Sequence, residues 1–233
     1  MAGLGFPDTH WTLIVRAQGD PAEKKRALDE IAERYRGPLL RYARARGIPA
    51  DRAEDLVQSA FANLLSRDFV ARLDQGRGRL RGFLKAALDH ELLHAIELAG
   101  ARKRGGDAVT VDIDALEELG REPEGGLRPD EVYEREWALA VAERALVRLR
   151  AELESGSMRS RWPVLERFFR DETPLPYAEA AQLAGITLAQ FKVTLHRART
   201  RFEELLRLEV ADQTDDPTET KDEEEFVRSR LIA

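Results

Sequence analysis

Residues 90–94 of this 233-residue chain read His90-Glu91-Leu92-Leu93-His94. On a helix, histidines four apart share a side, so both imidazoles can reach one Zn²⁺. The glutamate between them would then activate a metal-bound water, as in a zinc hydrolase. Such a site needs a third ligand. The downstream candidates, Glu117 and Glu118, fall in an acidic stretch rather than on a predicted helix. These hydrolases also hold peptide along a strand edge, and the chain offers no sheet. Leu80, Leu84, Leu88, Leu92, Ala95 and Ala99 form an apolar stripe, and His90 and His94 lie about 120–160° from its centre at about 100° per residue. The motif therefore keeps its geometry but lacks chemical partners. No catalytic residue, metal or cofactor is expected.

The sharper constellation runs from Tyr177 to Arg201. "YAEAAQLA" is predicted as a short helix, "GIT" as a turn and "LAQFKVTLHRARTRFEELL" as a second helix. A helix-turn-helix needs a small residue where its helices touch, and Ala181 supplies it. It needs a residue tolerant of positive φ at the turn, and Gly185 stands four positions on. Ile186, Phe191 and Leu195 would lock the second helix onto the first, and Thr187 would cap it. The second helix then presents Gln190, Lys192, Thr194, His196, Arg197, Arg199 and Arg201. Side chains of these types meet phosphates and base edges in a major groove. With Thr187 at the helix start, Gln190, Lys192, Thr194, His196, Arg197 and Arg201 are the candidate DNA contacts.

The elements that must carry these residues are helices throughout. Residues 24–47 give one long helix, with Leu28, Ile31, Tyr35, Leu39 and Tyr42 on one side, a kink expected at Pro38 and an end at Gly47. "IPADRAEDLVQSAFANLLSRDF" gives a second, with Asp51 as N-cap and Glu54 at capping-box spacing. "RGRLRGFLKAALDHELLHAIELAGARKRGG" gives a third, stopped by Gly105-Gly106. "HWTLIVRAQ" opens a short helix before them, and "VTVDI" is an isolated strand-like run. From Glu131 helices resume, with Trp137, Val141, Ala145, Leu149 and Leu153 as a core stripe. The fold class is all-α. It comprises an N-terminal helical domain over 1–106, an acidic linker over 107–130, a C-terminal helix-turn-helix domain over 131–210 and an acidic tail over 211–233.

Composition narrows the function. The chain is 43% hydrophobic, enough for a real core, and has no cysteine, which excludes disulfides and thiolate metal sites. No run of 18 apolar residues predicts a membrane span, and "MAGLGFPDTHW" shows no secretory signal. A cytoplasmic location is expected. The net charge is −6. Residues 209–233 hold nine acids and three bases, so the rest of the chain is balanced. The tail "ADQTDDPTETKDEEEF" is expected to be solvated.

Taken together, these segments resemble bacterial RNA polymerase sigma factors of the extracytoplasmic-function group. "YAEAAQLAGITLAQFKVTLHRARTRFEELL" is similar to their C-terminal domain, which reads the minus-thirty-five element. "DRAEDLVQSAFANLL" is similar to their polymerase-binding helix, whose usual form is close to D-A-E-D-L-V-Q-E-T-F. "FPDTHWTLIV" and "ARKRGG" resemble a branch beginning F-P-T-T-H-W. The resemblance spans roughly residues 6–210. It implies a promoter-melting domain followed by the helix-turn-helix domain, and no enzymatic activity. The implied partners are RNA polymerase core, promoter DNA and an anti-sigma or other regulatory protein. Glu54, Asp55 and Gln58 would face the polymerase clamp coiled coil, with Phe61 packed beneath. Arg102, Lys103 and Arg104 would contact minus-ten DNA, and Arg77, Arg79 and Arg81 would lie near its melted strand. The acidic linker would thread through polymerase channels.

The chain also departs from that pattern. Ala95-Ile96-Glu97-Leu98-Ala99-Gly100 stands where relatives of the branch carry several arginines. Losing about three phosphate contacts weakens DNA binding and flattens its salt dependence. Ser59 and Ala60 replace the usual Glu and Thr of the polymerase-binding helix, and Leu188 stands where a polar residue is common. A sigma-like regulator that binds DNA or polymerase without melting promoters is the alternative reading. The zinc hydrolase is a minor one.

Overall fold

The computed structural model describes residues 21–64, 80–104, 127–154, 158–171, 173–212 and 217–232. Every regular element among them is helical. The helices are α1 (Pro21–Ala45), α2 (Ala50–Leu64), α3 (Leu80–Arg104), α4 (Pro129–Glu154), α5 (Trp162–Arg170), α6 (Tyr177–Leu183), α7 (Leu188–Ala211) and α8 (Pro217–Ile232), with a 3-10 turn at Arg159–Arg161. The chain separates into two compact units, Met1–Ala140 with Ala211–Ala233, and Val141–Val210. The segments "HWTLIVRAQ" and "VTVDI", residues Arg77 and Arg79, and most of the acidic linker lie outside the described residues.

In the first unit α1, α2 and α3 pack on one another. Ile31, Tyr35, Leu39 and Tyr42 of α1, Ala53, Val57 and Phe61 of α2, and Leu80, Leu84, Leu88 and Leu92 of α3 are buried. These are stripes at helical spacing, the pattern that drives such packing. α1 continues through Pro38. It ends in a Schellman turn: Gly47 takes φ +80, its N–H donates to the Arg44 carbonyl, and the Ile48 N–H donates to that of Ala43. Asp51 is not the N-cap of α2, because Ala50 is already helical and places Asp51 within the first turn.

The tail differs most from expectation. Residues 217–232 form α8, and its Glu223, Glu224 and Val227 are buried in the first unit. Arg81 is the physical reason, since its guanidinium gives Glu223 a partner at 3.3 Å. The C-terminal domain boundary also moves. Residues 129–130, expected in the linker, begin α4, and residues up to Ala140 group with the first unit.

The second unit is held by aromatic packing and one buried carboxylate. Phe168 lies 5.3 Å from Phe191 and 5.5 Å from Tyr177, centroid to centroid. Glu209, 4% exposed, accepts from Arg144 at 3.0 Å and Arg148 at 2.9 Å. A buried carboxylate is tolerated only with such partners.

Candidate nucleic-acid and polymerase interfaces

The turn between α6 and α7 is built from local chemistry. Gly185 adopts φ +67, the left-handed region that suits glycine. Its N–H donates to the Gln182 carbonyl, and the Ile186 N–H donates to that of Ala181. This is the same Schellman closure as at Gly47. Ala180 and Ala181 are buried. α7 then opens with a reciprocal cap. The Gln190 N–H donates to Thr187 Oγ1 at 3.2 Å, and the Thr187 N–H donates to Gln190 Oε1 at 3.0 Å. Threonine and glutamine three apart satisfy two orphan donors of the helix start.

α7 buries Phe191, Leu195, Ala198, Leu205 and Leu206. At about 100° per residue the opposite side is centred on Val193, with Gln190 and Arg197 on one flank and Lys192 and His196 on the other. All five are exposed, Val193 by 50%. Ile186, Ala189, Gln190, Val193, Thr194 and Arg197 of this face, with Arg161, line a hollow of about 400 Å³. The face thus pairs cations with an apolar centre, suited to phosphates on its flanks and a base-edge methyl in the middle. The sequence does not point to Val193 or Arg161, because a valine among basic residues reads as packing and Arg161 is distant along the chain.

Two predicted contacts are otherwise engaged. Arg201 donates to both carboxylate oxygens of Glu152 at 2.7 and 2.8 Å and to Glu204 at 2.6 Å. These bonds push its guanidinium still higher and hold the Glu152 carboxyl below the ordinary glutamate value. Arg201 therefore ties α7 to the end of α4. Gln190 is exposed, but its amide oxygen serves the cap. Thr194 is half-buried.

On the first unit, α2 shows an acidic side. Glu54, Asp55 and Gln58 are exposed and Phe61 is buried beneath. Glu54 accepts from Arg36 at 2.5 Å. Asp55 makes no ion pair among the described residues. α3 carries Arg102, Lys103 and Arg104 in its last turn; their side chains lie outside the described residues. His90 and His94 of the same helix are exposed. Glu91 accepts from Asn63 at 2.9 Å, and the same carboxylate oxygen lies 3.7 Å from His90 Nδ1. Among the described residues no three potential ligands lie together, and no helix is long and apolar enough to cross a membrane.

Comparison with known proteins gives one family match: residues 31–101 match Sigma-70 region 2. The matched segment runs from Ile31 of α1 through α2 and nearly to the end of α3, so these helices form a sigma-70 region 2 domain. That domain supports a sigma-type role in RNA polymerase binding and promoter recognition. No curated protein and no solved structure matches the chain.

Proposed function

We propose that the chain is a sigma factor of the extracytoplasmic-function group, a non-catalytic subunit that directs RNA polymerase core to promoters. The observation that carries this reading is the sigma-70 region 2 match over a three-helix unit whose α2 exposes Glu54, Asp55 and Gln58. In this reading α2 docks on the polymerase clamp, and the cationic last turn of α3 meets the minus-ten region. The exposed face of α7 enters the major groove at the minus-thirty-five element. Thr187 and Gln190 position the start of α7, Lys192, His196 and Arg197 reach backbone and base edges, and Val193 meets a thymine methyl. The chain works in the cytoplasm.

The test is reconstitution. Purified chain and core polymerase from the same organism should form a stable complex at moderate salt and give promoter-dependent run-off transcripts. No complex under those conditions would refute the proposal. The alternative, a regulator without promoter melting, draws support from Ala95–Gly100 standing in place of arginines. It requires core binding with no transcript from either linear or pre-melted templates.

The face of α7 makes a separate prediction. Val193→Ala should weaken specific duplex binding by about 1 kcal/mol, relax preference at one base pair and leave the salt slope unchanged. Arg197→Ala should weaken all sequences alike and lower the salt slope by about 1. Fluorescence anisotropy over a salt series distinguishes them. Identical behaviour of the two variants would remove Val193 from base reading.

A further inference from the structure

α8 is acidic in its first half, with Glu219 and Asp222 to Glu225, and basic in its second, with Arg228 and Arg230. That order suits the helix dipole. Its inner side encloses Arg81 at the start of α3. Glu223 lies 3.3 Å from the Arg81 guanidinium, and the two side chains are only 3% and 11% exposed. The same guanidinium stacks 4.2 Å from the Phe226 ring centroid and 4.6 Å from that of Trp137. Arg230 anchors the far end, donating to Glu134 at 2.7 Å.

A guanidinium on an indole is chemistry that holds single-stranded nucleic acid: the cation takes a phosphate, and the flat groups take bases. Here the Glu223 carboxylate stands in the phosphate's position and the Phe226 ring in the base's. The contact is also suited to release. A buried ion pair recovers little beyond its desolvation cost. Between residues 220 and 230 the only apolar side chains that α8 contributes are Phe226 and Val227.

We propose that α8 is an intramolecular cover, a nucleic-acid mimic seated on an Arg81–Trp137 platform that a single DNA strand displaces. The identity of that strand as melted promoter DNA rests on the sigma reading; the cover itself does not. The chain has no cysteine, so Glu134→Cys with Arg230→Cys can be joined by a short bismaleimide to lock α8 in place. Phe226→Asp with Val227→Asp in the full chain releases it while adding negative charge, so tighter DNA binding by that variant has no trivial electrostatic origin. The probe is a labelled single-stranded DNA oligonucleotide followed by anisotropy. The released form should bind about tenfold tighter than the parent, and the locked form more weakly than the same variant without linker. Equal binding by locked and unlocked forms overturns the proposal. So does a released form that retains its α1–α3 helicity and binds no tighter. If the released form does not fold, the lock alone decides. Core capture by the parent chain is scored separately: its failure counts against the sigma reading, while the lock comparison still decides the cover.

Discussion

Phe191→Ala should cost the second unit about 4 kcal/mol, because a fully buried aromatic is deleted from a close-packed site. Phe191 is 0% exposed and packs at a tilt against both Phe168 and Tyr177. Those rings belong to α5 and to the first helix of the motif, so the deletion loosens both neighbours of α7. Binding to a specific duplex should fall with it, although Phe191 itself faces away from any groove. Phe191→Leu, which keeps most of the volume, should cost only about 1 kcal/mol. Hydrogen exchange across residues 177–210 is the suitable measurement, since it reads this unit apart from the rest. A loss below about 1 kcal/mol for the alanine variant would mean that α7 is held by something other than this aromatic cluster.

Reversing the charge at Asp55 should weaken core polymerase binding by about 2 kcal/mol or more, because it sets like charges against each other in a complementary interface. Stability should hardly change, since Asp55 is exposed and makes no ion pair among the described residues. Glu54→Ala is the informative contrast. It removes the partner of Arg36, an exposed pair worth at most about 1 kcal/mol to the fold. Core affinity is measured by competition against a labelled sigma factor, alongside a thermal melt. Unchanged affinity of Asp55→Arg, with an unchanged melt, would remove α2 from the polymerase interface.

What could be read in the sequence depended on distance along the chain. The stripe Leu80, Leu84, Leu88 and Leu92 announced its buried side because helical period is local. The turn at Gly185 did so as well: four neighbouring residues make all its bonds. The Thr187–Gln190 box is equally local, yet a glutamine amide suits base recognition as well as capping, so residue type alone does not reveal the capping role. Arg201 was opaque for a different reason. Its pairing with Glu204 is local, but Glu152, the carboxylate that ties it to α4, lies 49 residues away. The composition of the tail does not reveal its packing. An acidic run is normally solvated, but Phe226 and Val227 follow directly on this one, and the partner that makes Glu223 tolerable is Arg81, in another helix.

The box at the start of α7 has an evolutionary consequence. Position 190 serves the helix before it serves any base pair, so only a side chain that can reach back to the Thr187 N–H, glutamine or glutamate, leaves the motif intact. In the proposed reading, drift in the DNA sequence recognised by α7 is thereby channelled to Val193, His196 and Arg197, which carry no such obligation. If α7 reads DNA as proposed, two lineages of this protein with different preferred sequences should differ at those three positions while agreeing at 187 and 190.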